Sequence, residues 1–320
     1  MSDVTVIGAG VAGLFAALEL SRRGLAVRLI DRGGGPGAHG CSWWAGGMLA
    51  PDCEGATAEP QVARLGATAA AAWAPITPVT RRGTLVLAMP RDRAELARFA
   101  RRTSRHREIV PAELEPELSH HRTGLFFEAE AHLDPRRALS DLVRALAARG
   151  VTVETAEADP ADIPGPVIDA RGLAAGLPDL RPVRGEMAVL HAPGIRLSRP
   201  VRLLHPRHPL YLVPRDEGLF MLGATQLESA SRAPVSARAA LELLSAAYAL
   251  DPRFAEAAIV ELGADLRPAF PDNIPRILVR GRVLHLNGLF RHGYLLAPAL
   301  ARQAADHILT RTRGELVHED

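Results

Sequence analysis

The stretch Val4-Thr5-Val6-Ile7-Gly8-Ala9-Gly10-Val11-Ala12-Gly13-Leu14 decides the fold. Val4, Val6 and Ile7 are apolar and β-prone, which suits a buried strand. Gly8, Gly10 and Gly13 follow in G-x-G-x-x-G spacing. The first permits a tight turn, the second lets a pyrophosphate approach the backbone, and the third lets helix and strand pack closely. Leu14 to Leu20 continue at helical spacing to Arg22, Arg23 and Gly24, a helix stop. Residues 26–30 read as a second strand. Asp31 stands at its end, where a carboxylate accepts hydrogen bonds from ribose hydroxyls and repels a 2′-phosphate. Strand, glycines, helix, strand and acid within one unit of about 30 residues point to a dinucleotide far more strongly than the glycines alone.

The 320 residues leave room for two domains. Hydrophobic content of 48% and charged content of 23% are those of a globular protein. A net charge of +2, with arginines scattered and no basic block interleaved with aromatics, argues against nucleic-acid binding. Every one of the basic side chains is arginine; the absence of lysine removes Schiff-base chemistry and the P-loop lysine together. Cys41 and Cys53 lack zinc spacing and are too few for a disulfide framework, so no metal is expected and a reducing cytoplasm is the simplest context. Asp3 precedes the apolar run Val4 to Leu20 where a signal peptide would carry positive charge. No uninterrupted apolar run reaches 18 residues, so no membrane-spanning helix is expected.

Beyond Asp31, residues 33–37 form a glycine-rich loop. Residues 39–51 then mix small side chains with Trp43, Trp44 and Met48. Such small residues either let backbone approach a bulky planar ligand or begin a buried small-residue helix. Helices are expected over 59–74, 91–102, 111–118, 135–150 (with Asp134 as cap), 234–250 and 295–309, the last with Arg302 and His307 toward solvent. Strands are expected over 83–88, 124–128, 151–154, 166–170, 185–190, 200–204, 210–213, 219–223, 257–266 and 283–286. The pattern predicts an α/β chain of two domains. One is a Rossmann-type dinucleotide-binding domain formed by residues 1–75, 135–175 and 262–320. The other is a mostly antiparallel β-sheet substrate domain formed by residues 76–134 and 176–261.

The remaining chemistry concentrates in residues 263–275 and 285–299. The second segment reads as strand, glycine-flanked turn and helix start, whose unpaired N–H groups and partial positive charge favour negative charge. Six motifs run through the chain in order: Gly8-Ala9-Gly10-Val11-Ala12-Gly13, Ala45-Gly46-Gly47-Met48-Leu49-Ala50-Pro51, Tyr211-Leu212-Val213-Pro214-Arg215, Gly223-Ala224-Thr225, Leu266-Arg267-Pro268 and Phe290-Arg291-His292-Gly293-Tyr294-Leu295-Leu296-Ala297-Pro298. On these the chain resembles the FAD-dependent amine oxidases of the D-amino-acid oxidase superfamily, and among them the glycine oxidases of thiamine (thiazole) biosynthesis. The two-domain fold with an FAD-binding Rossmann domain is what that resemblance implies.

The resemblance further implies FAD held by Gly8, Gly10, Val11, Ala12, Gly13, Asp31, Arg32, Ser42, Ala45, Gly46, Gly47, Met48, Arg171, Gly172, Gly288, Arg291, His292, Gly293, Tyr294 and Leu295. It implies non-covalent FAD, because the superfamily's flavin-linking cysteine lies near the C-terminus and none follows Cys53 here. Arg267 would clamp the substrate carboxylate as a bidentate fork, Tyr211 would donate to the same carboxylate, and Arg291 would sit near flavin and substrate. Met48 and Gln226 would line the pocket. Read alone, Arg267 beside Pro268 suits a surface salt bridge and Tyr211 suits sheet packing. His208 and His292 read as structural, since hydride transfer from a neutral amine needs no strong side-chain base.

The implied activity is oxidation of glycine, or a similar small amino acid, to its imine, with O2 reduced to H2O2 and the imine handed to thiazole synthesis. Alternatives are a D-amino-acid or sarcosine-type oxidase, a dehydrogenase, a flavin-binding subunit without oxidase activity, or an NAD reductase using the first motif only. The sarcosine branch fits less well, because it uses a lysine for oxygen activation. A homo-oligomer is expected from the family. The segment between Val151 and Asp169 is shorter than the family pattern, with prolines in place of part of a hairpin.

Overall fold

Apolar residues buried on both faces favour a parallel sheet, and Val4–Ile7 is buried throughout. The computed structural model describes residues 2–205 and 209–319. In it, Val4–Ile7 lies between the parallel strands Val27–Asp31 and Val167–Asp169. The sheet continues through Val153–Thr155 on one side. On the other it continues through Val283–Asn287, Arg276–Arg280 and Val317–Glu319, giving seven strands among the described residues. All neighbours are parallel except Arg276–Arg280 against Val283–Asn287. Helix Val11–Arg22 buries Leu14, Phe15, Leu18 and Leu20 and packs against both Pro135–Ala147 and Gly293–Thr310. Asp134 caps Pro135–Ala147 by accepting from the Arg136 and Arg137 amides, as Asp followed by Pro at the first helical position predicts.

The second sheet runs Leu227–Glu228, Arg181–His191, Leu219–Gly223, Leu210–Pro214, Val201–Leu204, Thr84–Ala88, Gly124–Phe127, Arg107–Ile109. Ala258–Ala269 pairs with the other edge of Arg181–His191. It is antiparallel except where Val201–Leu204 meets Thr84–Ala88. The expected division at residue 262 falls inside Ala258–Ala269, which stays in this sheet to Ala269; the chain rejoins the first sheet at Arg276. One face carries Leu190, Val201, Leu203, Leu210, Leu212, Phe220 and Leu222 into a core with Leu243, Ala247 and Leu250 of helix Ala237–Leu250. Strict alternation therefore sends Arg202 and Tyr211 to the opposite face.

Several expected elements are shorter or broken. Residues 59–74 form two helices, Pro60–Gly66 and Ala69–Trp73. Residues 111–118 form two single turns, Pro111–Glu113 and Pro116–Leu118. His307, expected at the surface, is buried: it falls seven residues after Leu300 and three after Ala304, on the inward stripe of its helix. Among the described residues no helix is long and apolar enough to cross a membrane.

Candidate active site

The glycine turn opens one end of a cleft of about 700 Å³. A Cβ at Gly13 would stand 1.9 Å from the Gly8 carbonyl oxygen, so its lack of a side chain sets how closely helix follows strand. Gly13 is also the one expected cofactor residue that does not line the cleft. Asp31 is fixed at the strand end by the amides of Ala9 and Gly33, each donating at 2.8 Å. Ser42 Oγ accepts from the Val11 amide at 3.1 Å, joining the 39–51 segment to the first helix start. That segment is a short turn, Cys41–Trp44, and not a longer helix start; Ala45, Gly46, Gly47 and Met48 face the cleft after it.

The cleft is further lined by Arg267, Tyr211, Gln226 and residues 286–295, together with Arg171 and Gly172. The Tyr211 ring occupies space that a Cβ on either Gly46 or Gly223 would invade, at 2.6 and 2.3 Å. Burial raises the pKa of its phenol, so it is a neutral donor at neutral pH. The Arg267 guanidinium lies over Gly185, where a Cβ would come within 2.0 Å of it. It donates to the Thr225 carbonyl oxygen at 3.3 Å, and among the described residues no carboxylate is paired with it. Burial lowers its pKa, yet arginine stays charged. A desolvated cation without a counter-ion, beside a phenol donor, has the chemistry to pair with a small anion.

The cleft's glycine cradle, its ribose-ready acid and its volume suit a dinucleotide. The family model described as DAO, FAD dependent oxidoreductase, matches residues 3–307. The chain belongs to this FAD-dependent oxidoreductase family. FAD is its cofactor. A Rhizobium etli protein carrying the name thiamine biosynthesis oxidoreductase ThiO is 51% identical over 316 residues, covering 96% of each chain. A glycine oxidase of Pseudomonas aeruginosa is 26% identical over 95% of this chain and 93% of its own. The solved glycine oxidase of Geobacillus kaustophilus shares the fold with a TM-score of 0.82 at 23% identity, covering 98% of this chain and 96% of that one.

Within this FAD-dependent oxidoreductase, several expected residues have their polar groups already engaged. Arg291 lines the cleft, but Glu54 Oε2 stands 2.9 Å from its guanidinium and its Nη2 donates to Thr57 Oγ1 at 2.6 Å. Tyr294 shares its hydroxyl proton between the carbonyls of Ser42 (2.9 Å) and Pro135 (3.1 Å), so only its backbone and ring face the cleft. Arg171 is paired with Asp169 at 2.9 Å. Burial alone would raise the Asp169 pKa, but hydrogen bonds from His285 and Arg171 carry it down to about 2. Burial pushes His292 down to about 4, against the pull of Glu54, so it is neutral at neutral pH. His208 lies outside the described residues.

Sequence reasoning missed two cleft residues, Glu54 and Arg202, which pair at 2.6 Å. Burial opposes ionisation of Glu54, but Arg291 and Arg202 outweigh it and hold the carboxyl below its usual range. No local signal marks the pair: alternation in Val201–Leu204 turns Arg202 away from the apolar core without saying what the opposite face meets. Glu130, behind this pair, accepts from the Cys53 amide at 2.7 Å, and burial pushes its pKa up to about 7. The folded protein thus keeps a proton that the unfolded chain releases near 4.5. Stability from this group is complete below about 4.5 and is lost as pH rises toward 7, by roughly 3 kcal/mol. Glu130→Gln should flatten the fall in melting temperature between pH 5 and 8; an unchanged slope would refute the assignment.

Proposed function

We propose that the protein oxidises glycine, or another amino acid of similar size, to the imine while O2 becomes H2O2. The observation that carries this reading is the half-buried Arg267, free of any carboxylate among the described residues and set beside Tyr211 in the cleft of an FAD-dependent oxidoreductase. The relatives named above as glycine oxidases support it. When bound, FAD supplies the two-electron acceptor for the substrate's Cα hydride and returns the electrons to oxygen.

The protein's own part is binding and orientation. Gly8, Gly10, Val11, Ala12, Asp31 and Ser42 hold the nucleotide half of the cofactor, and Ala45 to Met48 with Gly288 to Leu295 border its ring half. Gly13 acts by packing rather than contact. Arg267 grips the substrate carboxylate through two N–H groups, and the Tyr211 phenol donates to the same group. Met48 and Gln226 bound the side-chain space. Neutral His292 and the phenol of Tyr211 leave the site without a strong base, which suits a substrate that reacts as its free amine. Both cysteines are free thiols. Burial pushes Cys41, at the cleft wall, up to about 12, which keeps it a thiol and FAD non-covalent. The free thiols fit a cytoplasmic enzyme. The relative named for thiamine biosynthesis supports delivery of the imine to thiazole synthesis, and the enzyme would act there as a homo-oligomer.

Anaerobic addition of glycine to the yellow holoenzyme should bleach its visible absorbance, and air should restore it with stoichiometric peroxide. A spectrum unchanged by glycine would sink the reading; bleaching without peroxide in air would make the protein a dehydrogenase. Tyr211→Phe removes one hydrogen bond to a charged group, worth about 1.5–3 kcal/mol. It should raise KM for glycine roughly 10- to 100-fold with FAD content unchanged. An unaltered KM would return Tyr211 to sheet packing.

A further inference from the structure

The sheet face that presents Tyr211 presents a second arginine. Arg202 stands directly opposite Tyr211 in the ladder between Val201–Leu204 and Leu210–Pro214, and opposed residues put their side chains on one face. Both line the cleft. The Tyr211 phenol feels the charges of Arg267, Arg202 and Glu54. His292 feels Glu54, Arg291, Arg202 and Arg267. Three cleft-lining guanidinium groups and one cleft-lining carboxylate therefore lie near Tyr211 and His292, with Arg215 outside the lining, bonded to the Gly46 carbonyl and facing Asp134.

These groups are not equivalent. Arg202 donates to Glu54 Oε1 at 2.6 Å, with side chains only 18% and 10% exposed. Glu54 Oε2 faces Arg291 at 2.9 Å and the His292 ring at 3.6 Å. A single carboxylate answers two cations and leaves Arg267 alone for an incoming anion. Arg202 Nε is also buried without a hydrogen-bond partner, so this guanidinium is incompletely satisfied even with Glu54 in place.

Building on the reading that the enzyme oxidises a small amino acid, we propose that the Glu54–Arg202 pair restricts the cleft to substrates with one carboxylate, and that Arg202 is a second carboxylate seat kept closed by Glu54. An amine bearing two carboxylates would set the first on Arg267. The second would find the negative charge of Glu54 already paired with Arg202 and Arg291. It would have to displace Glu54 from both arginines, and discrimination built on that competition rejects the wrong ligand without weakening the right one. Glu54→Gln removes that charge while keeping the side chain's shape. Arg202 then keeps only Glu130, which burial holds partly protonated, and the second carboxylate of the substrate can supply a full counter-ion. Glycine has no group to do so.

The test compares wild type, Glu54→Gln and the double variant Glu54→Gln/Arg202→Met as holoenzymes. kcat/KM is measured for glycine and for iminodiacetate, and calorimetry gives the affinities for acetate and malonate. Wild type should prefer glycine to iminodiacetate and acetate to malonate. Glu54→Gln should raise both the iminodiacetate/glycine and the malonate/acetate ratios at least tenfold, and Arg202→Met in that background should cancel the rise. The proposal is overturned if folded, yellow Glu54→Gln keeps both ratios within twofold of wild type. It is equally overturned if the rise survives loss of Arg202, which would give the seat to Arg291. Should Glu54→Gln fail to fold, Arg202→Met alone decides: Glu54 would then be answered by Arg291 only, the cleft would lose one positive charge and acetate would weaken at least threefold, and an unchanged affinity would refute the pair's role. If wild type does not react with glycine, the underlying reading fails while the acetate and malonate affinities still judge the pair.

Discussion

Arg267→Ala is expected to lower kcat/KM for glycine about 100- to 1,000-fold while the purified protein stays yellow. Arg267 is desolvated, lies over Gly185 and has no carboxylate partner among the described residues. A charge-assisted pair of hydrogen bonds made in such a setting is worth about 3–4 kcal/mol, and each 1.4 kcal/mol is tenfold. The carboxylate is gripped equally before and during the reaction, so the loss should fall mainly on KM. Arg267→Lys keeps the charge but not the planar fork, and should recover only part of the loss. Stopped-flow reduction at varied glycine concentration separates binding from chemistry. An unchanged apparent affinity in Arg267→Ala would show that another cation holds the substrate, and Arg202 would be the first to examine.

The glycine turn and the strands around it were legible because each depends on local patterning. Val4–Ile7 is apolar at every position and buried at every position, and Gly8 to Gly13 leave little choice of backbone. Arg267 and Tyr211 were legible only through resemblance, since neither residue type carries its surroundings with it. Glu54 was not legible at all. Its partners Arg202 and Arg291 lie far along the chain, and only the closure of the second sheet over the 39–54 segment brings them together. Alternation in Val201–Leu204 places Arg202 away from the apolar core, but it cannot say whether the other face meets solvent or a cleft. The sheet to which residues 262–269 belong was not legible for a related reason. Ala258–Ala269 is a single continuous strand whose sheet is chosen by its pairing with Arg181–His191, a contact that no local pattern reports. His307 is the contrary case, because the helical stripe through Leu300 and Ala304 already pointed it inward.

Gly13→Ala should cost the protein its FAD. The added Cβ would stand 1.9 Å from the Gly8 carbonyl oxygen and 3.2 Å from the Ala170 side chain. The first is backbone immediately after the strand Val4–Ile7, so relief requires helix Val11–Arg22 to move off the strand. That shift carries away Gly10, Val11 and Ala12, which line the cleft, and opens the packing of Leu14 and Leu18 against the core. Overpacking of this kind costs about 1–3 kcal/mol or more. The cofactor's linkage to folding adds to it, because a site that binds FAD 100-fold less tightly forfeits roughly 2.7 kcal/mol of ligand stabilisation. Gly13→Ala should therefore purify colourless, or with less than a tenth of the normal FAD, and melt well below wild type. Gly24→Ala is the matched control. Its φ is +89°, so it too is strained, but nothing lies within 4 Å of the new Cβ and the site is remote from the cleft. It should lose about 1 kcal/mol of stability and keep its FAD. Equal FAD content in the two variants would mean that the close approach of helix to strand at Gly13 is not what shapes the nucleotide end of the cleft.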